Sequence, residues 1–277
     1  MRDILAIKCI LLAILCLSVA NVNISARFGP QEGAREEARR LWEQAITAKG
    51  GRQRLYEVRN LEVSARAQFK KDLFHSGELR FEDFYVFPSK HWFWTDERAR
   101  GLTPLKVEWA DIERDLAYLT YADDPESPRK LIGITPFDKS FFLKAQLLYL
   151  METQWFKPTP VRARTERIGS RKLDVVETSV ERDRVDFYFD KTTHLPVRVV
   201  THYASKNETS LTRTYVLAEY REVNGIQMPH AVNAEGLKQR MSYQINVPHN
   251  KELFECPPTI EGGPDAWKPK MENNRLD

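Results

Sequence analysis

Cysteine is almost missing from this sequence. Three occur in 277 residues, and two of them, Cys9 and Cys16, share one short apolar run near the N-terminus. A disulfide-stapled scaffold is excluded, as is a zinc ribbon built on paired C-x-x-C ligands. The six histidines, His75, His91, His194, His202, His230 and His249, are scattered and form no H-E-x-x-H pattern. His194 and His202 are the one pair that neighbouring strands could bring together, and no metal site is expected. Glycine is scarce at 12 residues, and no G-x-G-x-x-G, Walker A, EF-hand or G-x-S-x-G pattern occurs. Nucleotide-binding, calcium-binding and serine-hydrolase signatures are therefore all lacking, and no cofactor is expected. Neither sign of charge dominates: 42 Lys and Arg stand against 39 Asp and Glu, a net +3. A nucleic-acid partner, which calls for a clustered basic stripe, is not expected. Acidic pairs such as Asp123-Asp124 and Glu36-Glu37 occur in any chain this rich in carboxylates. A two-carboxylate hydrolase is thus a third-ranked reading with no motif behind it, and the chain is not expected to be an enzyme.

Nor is there an apolar run of the roughly 20 residues that span a bilayer. The longest, residues 9–19 (CILLAILCLSV), follows Arg2 and Lys8 and runs into Ala20 through Ser18-Val19. A positive start, a short apolar centre and small residues at the cleavage position make residues 1–20 a signal peptide. Ala26 is a second cleavage candidate, and an uncleaved anchor is the alternative. Leu15 is too large to precede a lipidated cysteine, so Cys16 is not read as a lipid-attachment site. Cleavage after Ala20 leaves a chain of net charge +2 with Cys256 alone, which is read as a bland free thiol.

Residues 31–49 carry Ala34, Ala38, Leu41, Trp42, Ala45, Ile46 and Ala48 at helical spacing, and Gly50-Gly51 follows as a C-cap. The period then switches to two. Leu61, Val63, Ala65, Ala67 and Phe69 alternate with polar residues, and further short apolar stretches follow to residue 121. A second helix is expected over 138–156, ended by Pro158 and Pro160, with Leu147 to Met151 apolar without a break. A helix this apolar must be covered on most sides or must face an apolar occupant. From 162 to 247 alternation returns, with turns expected at Gly169-Ser170, at 190–196 and at Asn224-Gly225. The basic residues Arg162, Arg164, Arg167, Arg171 and Lys172 read as a solvated hairpin, with an anionic lipid surface as their alternative partner.

Ten or eleven strands with short connections and two main helices predict a mainly β (α+β) fold. It would be a large curved antiparallel sheet, an incomplete β-barrel with helices on its concave side. A single domain is expected over 21–256, with a Pro- and Gly-rich tail over 257–277.

Three stretches resemble the LolA and LolB superfamily of periplasmic lipoprotein carriers. They are AITAKGGRQRLYEVRNLEVSA (45–65), VDFYFDKTTHLPVRVV (185–200) and EYREVNGIQMPHAVNAEG with YQINVPHNKELFECPP (219–258). These are turn and strand signals, not a catalytic signature. The region 111–160 departs from the family pattern, and the family's lid-closing arginine is not assigned to any position here. The resemblance implies a half-barrel whose hydrophobic cavity takes lipid or lipoprotein acyl chains in the bacterial periplasm. The chain would act as a carrier in lipoprotein sorting or as a sensor. The cavity-lining candidates are Leu61, Val63, Phe81, Trp92, Trp94, Trp109, Phe141, Phe142, Leu148, Met151, Phe187 and Phe189. The alternative is an envelope regulatory or scaffold module that uses the same fold to bind a protein partner, such as an envelope membrane protein.

Overall fold

The computed structural model describes residues 30–70, 76–96, 105–111, 113–114, 116–121, 130–133, 143, 146–180, 183–203, 211–234, 236–254 and 268. Residues 1–20, expected to be a signal peptide, Phe141, Phe142, Cys256 and nearly all of the expected C-terminal tail lie outside these residues.

Helix α1 covers Pro30–Lys49, within one residue of the expected start. Its buried stripe is Ala38, Leu41, Trp42, Ala45 and Ile46, while Glu36, Glu37, Arg39 and Arg40 face solvent. Gly50 and Gly51 end it at φ 129° and 90°. The Gly51 N–H donates to the Ile46 carbonyl at 2.9 Å and the Gly50 N–H to Thr47 at 3.2 Å. That paired six-to-one and five-to-two arrangement is a Schellman cap, which satisfies two end carbonyls and needs a residue free of Cβ strain. A one-turn helix α2, Arg52–Tyr56, follows at once.

Two meanders make the sheet. The first contains β1 (Asn60–Lys70), β2 (Ser76–Val86), β3 (Lys90–Asp96), β4 (Leu105–Asp111), β5 (Leu116–Tyr121) and β6 (Lys130–Gly133). The second contains β7 (Thr159–Ile168), β8 (Arg171–Val180), β9 (Asp183–Asp190), β10 (Pro196–Tyr203), β11 (Leu211–Val223), β12 (Ile226–Ala234) and β13 (Leu237–Ile245). The order across the sheet is β6-β5-β4-β3-β2-β1-β13-β12-β11-β10-β9-β8-β7. Every pairing is antiparallel, and the sheet is open, with β6 and β7 as its two ends. The described residues form thirteen strands, more than the ten or eleven expected. Strands as short as β6, with four residues, carry too little alternation to be read from sequence.

The meanders meet at β1 and β13, where Leu61 stands opposite Ile245. Two asparagines fasten that seam. The Arg59 N–H donates to Asn246 Oδ1 at 2.6 Å, and Asn246 Nδ2 donates to the Glu57 carbonyl at 3.0 Å. Asn60 exchanges two bonds with Val247, at 2.9 and 3.0 Å. Asn246 sits at φ 57°, a conformation that asparagine tolerates.

The turns expected at 169–170 and 224–225 are present, the second with φ 50° at Asn224 and 78° at Gly225. The turn after β9 is built on Asp190, whose Oδ1 accepts from the Thr192 and Thr193 N–H groups at 3.0 Å each. The second helix differs from expectation. Its helical run ends at Leu150, well before Pro158, because Met151 takes φ 69° and the chain turns inward at Glu152. Helix α1 lies on one face of the sheet against β7, β8 and β12, and the apolar turn 147–151 joins it there.

Candidate functional site

Alternation along each strand divides the side chains between two faces. On the helix-bearing face, Leu61, Val63 and Ala65 of β1 line up with Ile245, Tyr243 and Met241 of β13. Val185, Phe187 and Phe189 of β9 complete the floor of the same buried cluster. The ceiling is Leu41, Trp42, Ala45 and Ile46 of α1 together with Leu147, Leu148, Leu150 and Met151. Trp42 meets Phe187 edge-on at 5.0 Å between centroids and Phe189 at 6.3 Å, and the two phenyl rings stack at 6.1 Å. Aromatic pairs in these geometries add to what burial alone supplies.

A polar clasp ties the ceiling together at Glu152, a buried carboxylate. It accepts from Trp42 Nε1 at 2.9 Å, from Arg52 Nε at 2.6 Å and from the Tyr56 hydroxyl at 3.1 Å. Arg52 also donates twice to Glu43, at 2.8 Å each. Its hydrogen bonds to Glu43 and Glu152 hold the guanidinium pKa above the ordinary arginine value. The segment 147–152 is thus fastened to α1 and α2 by polar bonds at Glu152, while Leu147, Leu148, Leu150 and Met151 make apolar contacts in the buried cluster.

At the β2–β3 side of this face lies a polar–aromatic group. Asp83 Oδ1 is 2.7 Å from His91 Nε2, and the imidazole stacks on Tyr85 at 4.5 Å. Tyr149 from the ceiling approaches Tyr85 at 6.4 Å and Tyr243 at 5.8 Å. Burial, then the Asp83 carboxylate, pushes the phenols of Tyr85 and Tyr149 well above the usual tyrosine range. These phenols are hydrogen-bond donors, not bases, and no activated nucleophile stands beside the Asp83–His91 pair among the described residues.

Lys49, the last residue of α1, is fully buried where the helix end meets the β11–β12 hairpin. Its Nζ lies 4.0 Å from Met228 Sδ and 5.3 Å from the Tyr220 ring centre. Burial lowers its pKa to about 7.

The opposite face is different in kind. Trp92 stands opposite Phe84 across β2 and β3, so strand register puts both on this side. Phe84 is covered by His249 at 5.5 Å and Phe254 at 6.1 Å from the turn after β13. Further along, a trough of about 930 Å³ crosses β2, β1, β13, β12 and β11, lined in part by Ser64, Trp94, Val216, Ala218, Ala231 and Asn233. Arg240, Arg66 and Arg80 stand directly opposite one another across β13, β1 and β2. Glu78 pairs with Arg80 at 2.7 Å and Glu219 with Arg221 at 3.5 Å. Arg66, Lys238 and Arg240 have no acidic partner among the described residues.

The twelve lining candidates therefore separate. Leu61, Val63, Leu148, Met151, Phe187 and Phe189 meet in one buried cluster, with Phe81 packed against it. Trp92 and Trp94 are buried on the other face, and Trp109 stands opposite Trp92 in the β3–β4 register. The basic residues around 162–172 are more than a solvated hairpin. Arg164 bonds Glu166 at 2.6 Å and the buried Asp186 at 3.1 Å, and Arg171 bonds Asp190 at 2.8 Å. His194 precedes β10 and His202 lies near its end, so a whole strand separates them. No cluster of three metal-ligating side chains occurs among the described residues. No helix among them is long and apolar enough to cross a membrane.

No protein-family profile matches the sequence, and no curated protein matches it. Solved structures do show similarity. A LolA superfamily protein from Nitrosomonas europaea superposes with a TM-score of 0.48 at 9% identity, over 79% of this chain and 97% of that one. A putative outer membrane lipoprotein-sorting protein domain from Vibrio parahaemolyticus gives 0.42 at 12% identity, over 82% and 98%. The MucA/MucB complex of Pseudomonas aeruginosa gives 0.25 at 10% identity, over 79% and 60%.

Proposed function

We propose that this chain is an exported envelope protein that takes up a lipid or lipoprotein acyl chain between the sheet and its helical ceiling. It acts there as a carrier or as a sensor, without a covalent step. The observation that carries this reading is the make-up of that interlayer: both sides are apolar across β1, β13 and β9, and the ceiling's polar fastening runs to α1 and α2. A ceiling held to the sheet by apolar contacts can lift as a unit, and an acyl chain can replace one apolar surface with another. Each methylene moved from water into such a layer contributes about 0.8 kcal/mol. The signal-like segment 1–20 and the three stretches resembling periplasmic carriers support an envelope setting.

The test is organic extraction of the purified protein followed by mass spectrometry, together with displacement of a fluorescent fatty acid. Co-purified acyl species and saturable displacement are expected. A protein that yields no lipid and displaces no probe would overturn the reading. N-terminal sequencing of exported material checks cleavage after Ala20.

A second reading rests on the trough. Its unpaired Arg66, Lys238 and Arg240 beside the exposed Val216 fit an acidic segment of a protein partner. Under that reading the chain is an envelope regulatory module, and Arg66→Glu abolishes the complex in a pull-down.

A further inference from the structure

The polar group least explained by packing is Lys49. An ammonium is strongly hydrated, and removing it from water without an opposite charge is among the costliest substitutions a core can carry. Buried lysines ordinarily meet a carboxylate. Here the ε-amine meets a thioether and an aromatic ring, and no carboxylate forms an ion pair with it among the described residues. The Tyr220 hydroxyl does not turn toward it, because it donates to the Pro196 carbonyl at 2.6 Å.

The backbone explains how the residue comes to be there. Gly50 allows the helix end to approach the β11–β12 turn so closely that a Cβ at position 50 would run into the Gly225 carbonyl oxygen. Lys49 is the last helical residue before that contact, and its stem enters the layer beneath α1. Met228 belongs to the same buried apolar cluster as Leu61, Val63, Phe187 and Phe189. The amine therefore ends against the apolar residues of the interlayer.

We propose that Lys49 is the counter-charge for the carboxylate of a single-chain fatty acid, bound head-first with its alkyl chain along the interlayer. This rests on the acyl-binding reading above and names its ligand class. One ammonium balances one negative charge, so a monoanionic head group fits and a phosphomonoester leaves charge uncompensated. The ammonium has three N–H donors, and Met228, whose sulfur lies 4.0 Å away, is unbranched and able to repack around a small head group. A neutral ester or amide, as in a lipoprotein acyl chain, would leave the protonated amine without its partner. The site thus favours free acids over esters.

The experiment measures binding of palmitic acid, hexadecanol and methyl palmitate to the delipidated full chain and to Lys49→Met. Methionine is unbranched and one atom shorter, so it keeps most of the apolar stem and removes the charge, and circular dichroism confirms that the variant is folded. The expected result is that the wild type binds the acid about tenfold or more tightly than the alcohol and the ester. In Lys49→Met that preference disappears. Equal binding of all three by the wild type would overturn the assignment of Lys49 and leave the acyl-binding reading standing. An acid preference that survives in Lys49→Met would also overturn it, by placing the counter-charge elsewhere. Binding of none of the three would overturn the acyl-binding reading, and this proposal with it.

Discussion

The two faces of the sheet solve opposite problems with the same strands. In β1, Leu61, Val63 and Ala65 point into the helix-covered layer, while Ser64 and Arg66 point into the trough behind it. On the covered face, neighbours across the seam are apolar and large. On the open face, Arg240, Arg66 and Arg80 stand side by side, an arrangement that costs stability wherever nothing neutralises it. Packing selected the first face. The second shows charges that packing does not explain, so a functional role for it has to be sought in what it touches.

Four substitutions sharpen this contrast. Trp42→Ala should be the most damaging. It removes the ring that meets Phe187 and Phe189 and the donor to Glu152, at a cost of about 3–5 kcal/mol in chemical denaturation. Lys49→Met should act in the other direction and stabilise the fold at neutral pH by a few kcal/mol, on the order expected for deleting a buried lone charge.

The pH profile carries the sign. Burial lowers the Lys49 pKa from 10.5 to about 7. Between those values the unfolded chain holds a proton that the folded one lacks, so stability rises with pH across that window. The slope reaches up to about 1.4 kcal/mol per pH unit. Below about 7 both states are charged and the penalty is complete. In Lys49→Met this slope should vanish, as urea titrations from pH 6 to pH 10 would show. A slope unchanged by the substitution would assign it to other groups.

Glu152→Gln keeps the shape of the clasp and removes its charge. A loss of about 1–3 kcal/mol is expected, with faster hydrogen exchange over 147–151. Arg66→Thr tests the open face and should have the smallest effect. It relieves like-charge contact with Arg80 and Arg240 and should raise stability by about 0.2–1 kcal/mol at low salt, with less gain as salt screens the row.

Much of the architecture was legible because local chemistry dictated it. The helix 31–49 is found at Pro30–Lys49, since its apolar stripe and its Gly-Gly cap agree. The hairpins at Gly169-Ser170 and Asn224-Gly225 fall where turn residues interrupt alternation. The division of the lining candidates between faces was harder to read. In His91-Trp92-Phe93-Trp94 every residue is aromatic, so alternation gives no indication of which two face the helices. Only pairing with Tyr85 and Phe84 decides it. Glu152 and Lys49 were invisible for another reason. A glutamate after an apolar helix and a lysine before Gly-Gly both look like solvent-facing ends, and long-range contacts with Trp42 and Met228 bury them.

The seam between β1 and β13 has a consequence in time. Each meander is made of hairpins whose partners are close in sequence, but the strand that joins them pairs Leu61 with Ile245. Such distant partners raise contact order, and loop closure must be met before the pairing returns any stability. The first strand cannot find its second neighbour until nearly the whole chain has emerged.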